Sequence, residues 1–121
     1  MVDDNEEVVD MLGNMLHRMG YNPVTCTKPL EALILFCDAT ERFDAVILDE
    51  MMPEIRGTEI AERLVQVKHD IPIILITGRG EELTIDHLMK SGVRATLIKP
   101  VLRETLRTTL ERALKPRTQE L

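Results

Sequence analysis

The sequence predicts an α/β domain, a parallel β-sheet with helices packed on both of its faces. Two observations carry that expectation. Apolar runs of strand length alternate along the chain with stretches whose apolar residues recur at helical spacing. Two of those runs, Ala45-Val46-Ile47-Leu48 and Ile71-Pro72-Ile73-Ile74-Leu75-Ile76, are apolar without interruption, as strands covered on both faces should be.

The elements follow in order. Met1-Val2 leads into an acidic pair, Asp3-Asp4, and forms a first strand. Val8, Val9, Leu12, Met15, Leu16 and Met19 then fall on one face of a helix. Asp4 or Asn5 caps it, Glu6 and Glu7 suit the positive end of its dipole, and Gly20 ends it. Pro23-Val24-Thr25-Cys26-Thr27 is short and rich in β-branched residues, hence a second strand. Pro29 suits a first helical turn, and Leu30, Leu33, Ile34 and Cys37 give the second helix an apolar stripe ending near Ala39. Phe43-Asp44 leads into the third strand, which closes on Asp49. Beyond Pro53 and Gly57, Thr58 is the expected cap of a helix carrying Ile60, Ala61, Leu64 and Val65, with Lys68 near its end.

The fourth strand ends on Thr77, and Gly78-Arg79-Gly80 is a loop. Leu83, Ile85, Leu88 and Met89 mark a weaker helix closed by Ser91-Gly92. Arg94-Ala95-Thr96-Leu97-Ile98-Lys99 is the fifth strand, stopped by Pro100, and Leu102, Leu106, Leu110 and Leu114 line the final helix. One domain is expected over residues 1–115, followed by a polar tail over 116–121.

Composition bounds the function. At 121 residues the chain is long enough to bury a core, which must be aliphatic because Tyr21, Phe36 and Phe43 are its aromatics. A net charge of −6 repels a polyanion, so direct nucleic-acid binding is not expected. No apolar run approaches the roughly 20 residues of a membrane span, and no signal-peptide pattern opens the chain, so a cytoplasmic protein is expected. Cys26 and Cys37 lack CxxC spacing and read as buried free thiols rather than zinc or dithiol ligands. His17, His69 and His87 lack metal-ligand spacing and read as surface residues. The methionines at 15, 19, 51, 52 and 89 read as packing.

Right-handed crossovers align the strand ends on one rim of such a sheet, where ligands bind. That rim receives Asp3, Asp4, Asp49, Thr77 and Lys99. Singly, each has an ordinary explanation: a helix cap, a turn residue, a strand-end hydroxyl, a solvated charge. Jointly they point to chemistry. Three close carboxylates repel one another and favour a cation, and all-oxygen ligation suits Mg²⁺. Asp49 is then a carboxylate nucleophile that forms an aspartyl phosphate, with Thr77 and Lys99 holding the phosphoryl oxygens. A calcium loop opening at Asp3 fails, because Val8 stands where its sharp turn needs glycine.

Five pieces in this order and spacing resemble a response-regulator receiver domain of bacterial two-component signalling. They are Val2-Asp3-Asp4, Leu48-Asp49 with Met52-Pro53 after it, Gly57, Ile76-Thr77-Gly78 and Lys99-Pro100. The resemblance implies a flavodoxin-like fold of strand order 2-1-3-4-5 with five helices. It implies Mg²⁺-dependent phosphoryl transfer from a histidine kinase or phosphotransfer protein onto Asp49. Asp4, Asp49 and the backbone carbonyl of Met51 would ligate the metal directly, and Asp3 through water. A partner or homodimer surface is implied on the fourth helix, fifth strand and fifth helix; a cis peptide at Lys99-Pro100 is in keeping with the family, whereas base rates alone favour trans.

The chain also departs from the family pattern. Thr77 and Thr96 are the switch positions, and Thr96 stands where the family usually has an aromatic, so signalling should rest on Thr77 and the loop after it. Met51 and Arg79 flank the acceptor. Apolar Met51 cannot orient an attacking water, so slow self-dephosphorylation is expected. Only Met1 and Val2 precede the acidic pair, so the first strand should be a stub, or residues before Met1 are missing. A phosphatase of the haloacid-dehalogenase type is the enzymatic alternative, but it wants a second acid where Met51 stands. A receiver-like module that is never phosphorylated is the other. Ile76-Thr77-Gly78 with Thr96 is similar to receivers fused behind sensor kinases, and a stand-alone receiver is the alternative.

Overall fold

Burying the aliphatic runs sets the architecture. The computed structural model describes residues 1–78 and 83–115. Arg79, Gly80 and the tail expected over 116–121 lie outside the described residues. Three parallel strands, β1 (Val46–Asp49), β2 (Ile73–Thr77) and β3 (Ala95–Ile98), pair in the order β1-β2-β3. Every residue of β1 and β2 is buried. The register sets Asp49 beside Ile76 and Thr77 beside Ile98.

Two more segments complete the sheet through single bridges. Val2 bridges in parallel to both Leu48 and Cys26. Its N–H donates to the Ile47 carbonyl at 2.8 Å, and its carbonyl accepts the Asp49 N–H at 2.9 Å. The Cys26 N–H donates to the Met1 carbonyl at 3.0 Å, and the Asp3 N–H to the Cys26 carbonyl at 3.2 Å. The strand positions therefore run 2-1-3-4-5, as the flavodoxin-like expectation required. The first strand is the stub expected. The second, expected over residues 23–27, contracts to the bridge at Cys26, because the stub offers so little edge and Pro23 has no N–H to donate.

Five α-helices among the described residues cover the sheet: α1 (Glu6–Arg18), α2 (Pro29–Asp38), α3 (Gly57–Val67), α4 (Ile85–Ser91) and α5 (Arg103–Leu114). Strand side chains alternate between the faces. Leu48, Ile73 and Leu75 meet Ala32, Phe36, Ile60, Ala61 and Leu64 of α2 and α3. Ile47, Ile74 and Ile76 meet Leu12, Leu16, Leu106 and Leu110 of α1 and α5. Each such side chain, fully buried, contributes about 1.5–3 kcal/mol. Asn5 caps α1, its side chain accepting from the N–H groups of Glu7 at 2.9 Å and Val8 at 3.2 Å.

Several side chains depart from expectation. The buried face of α2 is Pro29, Ala32 and Phe36, with Leu33 partly covered, whereas Leu30, Ile34 and Cys37 are exposed. Phe36 stacks on Phe43 at 5.8 Å between ring centroids, and that ring rather than Ile34 sets the helix's rotation. Neither thiol is buried: Cys26 is half-buried with its Sγ 3.2 Å from the Lys28 carbonyl, and Cys37 is exposed. Met51 and Met89 face solvent, while Met52 packs in the core. α3 starts at Gly57 with Arg56 at its cap position, so Thr58 lies inside the first turn. In α4, Leu88 and Ser91 face inward and Ile85 is exposed, and Leu102 stands exposed at the head of α5.

One pairing residue on each side is the weak point of the sheet. A groove lined by Met1, Tyr21, Val24, Phe43 and Ala45 opens below it. Five apolar residues added before Met1 should extend that pairing and raise the melting temperature by at least about 5 °C by circular dichroism. Equal melting temperatures would show that the stub does not limit stability.

Candidate acidic site at the carboxyl rim of the sheet

The bridge at Val2 delivers Asp3 to the rim, the end of β1 delivers Asp49, and the residue after β3 is Lys99. Asp3 and Asp49 are each 1% exposed, and Asp4 beside them is exposed. One carboxylate oxygen from each of the three lies within 4.8 Å of the others. The Lys99 ammonium stands 3.0 Å from Asp49 Oδ1 and 3.6 Å from Asp3 Oδ2. Both oxygens are buried, and among the described residues nothing besides this ion pair reaches either of them. The other Asp3 oxygen accepts the Asn5 N–H at 2.9 Å.

One ammonium therefore serves two buried carboxylates. Burial, reinforced by the charges of Asp3 and Asp4, pushes the Asp49 carboxyl up to about 6 against the pull of Lys99. Burial also raises Asp3, opposed by the Asn5 N–H and by Lys99. Burial alone would lower Lys99, but the carboxylates of Asp49 and Asp3 outweigh it and hold the ammonium above its ordinary value. Three clustered carboxylates, two of them buried, are a donor set that fits a small, hard cation.

The other expected residues divide. Thr77 ends β2, buried, one residue beyond the partner of Asp49, and its carbonyl accepts the Lys99 N–H at 2.8 Å. Met51 lies in the loop after Asp49 with its Sδ 3.6 Å from Arg56 Nη1. Thr96 pairs with Leu75 and is exposed, away from the acidic cluster. The Lys99-Pro100 peptide is cis. Gly57 is required by a close approach: a Cβ there would lie 2.4 Å from the Asp49 carbonyl oxygen and 2.8 Å from Leu75 Cδ1.

Sequence reasoning missed Glu50. Its side chain is 1% exposed, and its Oε1 accepts the Thr58 N–H at 2.8 Å, capping α3 from a distance. Its Oε2 accepts the Thr58 hydroxyl at 3.2 Å and lies 3.8 Å from Arg56 Nη1. This is why Thr58 is not itself the cap. The signal was strand alternation: Glu50 follows Leu48 by two and so shares the face that Leu48 turns to α2 and α3.

The response regulator receiver domain family matches residues 1–111. The chain belongs to that family. Receiver domains are phosphoacceptor modules of two-component signalling. The chain is 33% identical over 114 residues to the two-component response regulator ORR24 of Oryza sativa subsp. indica, covering 94% of this chain and 18% of that protein. It is 38% identical over 100 residues to the alkaline phosphatase synthesis transcriptional regulatory protein PhoP of Bacillus subtilis, covering 83% of this chain and 41% of that protein. The receiver thus spans less than half the length of either relative. Among solved structures, it resembles chemotaxis protein CheY4 of Vibrio cholerae at TM-score 0.80 and 29% identity, covering 93% of this chain and 94% of that one. A receiver domain protein from Clostridium thermocellum superposes at TM-score 0.85 and 26% identity, covering 93% and 90%. No described helix is long and apolar enough to cross a membrane.

The raised Asp49 carboxyl has a measurable sign. Folding holds its proton more tightly than the unfolded chain does, so this group contributes stability that is full below about pH 4. That contribution, on the order of 3 kcal/mol, is lost as pH rises through about 6. A ¹³C carboxyl titration of metal-free protein should place the Asp49 midpoint near 6. A midpoint at or below 3.8 would mean that Lys99, not burial, governs the site.

Proposed function

We propose that Asp49 is the phosphoacceptor, that Mg²⁺ assists, and that phosphorylation changes the partner-binding face. The observation that carries this is the cluster of one carboxylate oxygen each from Asp3, Asp4 and Asp49 beside the Lys99 ammonium. Asp4, Asp49 and the Met51 carbonyl would hold Mg²⁺ directly and Asp3 through water. Bound there, the ion supplies neutralisation of the carboxylates and orientation of the phosphoryl donor.

The donor is a phosphohistidine of a kinase or phosphotransfer protein. A deprotonated Asp49 oxygen attacks phosphorus; the O–P bond forms as the P–N bond breaks, and the imidazole leaves with the electron pair and is reprotonated by solvent. Lys99 balances charge on the phosphoryl oxygens, and the Thr77 hydroxyl donates to one of them. Ile85 at 75% exposure, Met89 at 73%, Ile98 at 60% and Leu102 at 64% support a partner or homodimer surface on α4, β3 and α5. The net charge of −6 supports a protein partner over nucleic acid, with the cytoplasm as compartment.

Beryllofluoride with Mg²⁺, a phosphoryl mimic, should bind the wild-type chain by calorimetry and fail to bind Asp49→Ala. No binding to wild type would support an inert receiver-like module instead. Half-exposed, apolar Met51 offers no hydrogen bond to an attacking water. Met51→Asn should therefore speed loss of the phosphoryl group by about tenfold, corresponding to roughly 1.4 kcal/mol of barrier. An unchanged decay rate would dismiss that role.

A further inference from the structure

Glu50, Thr58 and His87 form a buried-to-surface chain that phosphoryl chemistry at Asp49 leaves unused. Glu50 follows Asp49 directly, its N–H donating to the Ile76 carbonyl at 2.9 Å and its carbonyl accepting the Gly57 N–H at 3.1 Å. Its carboxylate holds Thr58, which is fully buried in the first turn of α3. His87 Nε2 reaches the same Thr58 oxygen at 3.1 Å from α4. Three elements are thus joined by consecutive hydrogen bonds: the loop after the acceptor, the start of α3, and α4.

Proton counting gives the chain a direction. The Thr58 hydroxyl has one proton, and the Glu50 carboxylate, already accepting a backbone N–H and facing Arg56, can only accept. Thr58 therefore donates to Glu50 and accepts from His87, which requires a proton on Nε2. Any shift of residue 50 moves both acceptors of Thr58 and is felt at the histidine. Apolar contacts also hold Leu83 and Leu88 to the core.

We infer that Glu50, Thr58 and His87 are positioning residues that couple the loop carrying Asp49 to the placement of α4. The inference rests on the phosphoacceptor reading. It gives the signal a path to the exposed Ile85 and Met89 face of α4 that does not pass through Thr96, which lies outside the cluster.

Nuclear magnetic resonance on the whole chain tests it, with Mg²⁺ and beryllofluoride as probes. In the free protein, the His87 Nε2 resonance should have the shift of a protonated ring nitrogen. On adding the probes, that resonance and the amides of α4 should move along with those flanking Asp49. Thr58→Val should keep the response beside Asp49 and lose at least half of the α4 response; Thr58→Ser should restore it. His87→Ala, at an exposed position, should act like Thr58→Val without endangering the fold. No change beside Asp49 in wild type overturns the phosphoacceptor reading and this inference with it. A normal change there with none at His87, an unprotonated Nε2, or a full α4 response in Thr58→Val and His87→Ala, overturns the coupling alone.

Discussion

The fold holds two carboxylates, Asp3 and Asp49, out of water beside a single ammonium, and much of the rest of the chain offsets that arrangement. Like charges about 4 Å apart repel by roughly 4 kcal/mol at the effective dielectric of a protein site. Desolvation adds to that and raises the Asp49 carboxyl to about 6. The offset comes from strands buried on both faces: Leu48, Ile73, Ile74, Leu75 and Ile76 are all fully buried. A core of that kind keeps the rim rigid enough for the acids to remain crowded. A bound cation would relax that crowding.

The same rim is assembled from elements of unequal strength. β1 pairs with β2 from Val46 to Asp49 and β2 with β3 from Ile74 to Thr77, so Asp49 and Thr77 are each held by a continuous ladder. Asp3 depends on the single bridging residue before it. Its carboxylate is nonetheless fixed by the Asn5 N–H, so the turn that caps α1 also orients the acid. Gly57 contributes from the opposite direction, letting α3 press against the backbone of Asp49.

The parallel sheet and the convergence of Asp3, Asp4, Asp49 and Lys99 were legible in the sequence, because uninterrupted apolar runs and charged residues at their ends mark one rim; the strand order came from the resemblance to receiver domains. What was not legible depended on side-chain competition. Leu30, Ile34 and Cys37 satisfy helical spacing, yet the stacking of Phe36 on Phe43 turns α2 so that they face solvent. Thr58 has the composition of a cap, but Glu50 takes over that role from eight residues away, a long-range contact that no local pattern encodes. The second strand shrank because strand length depends on the neighbour's length as much as on β-propensity. For Glu50 the alternation of faces was available, since it follows Leu48 by two residues.

The account stands on Asp49 being the residue that receives phosphorus. A small phosphoramidate donor with Mg²⁺, followed by borohydride reduction and peptide mass mapping, locates the acceptor. The predicted result is reduction of the side chain at position 49, dependent on Mg²⁺ and absent without donor. Modification at another residue, or an unmodified Asp49 after exhaustive reaction with donor and Mg²⁺, would contradict it.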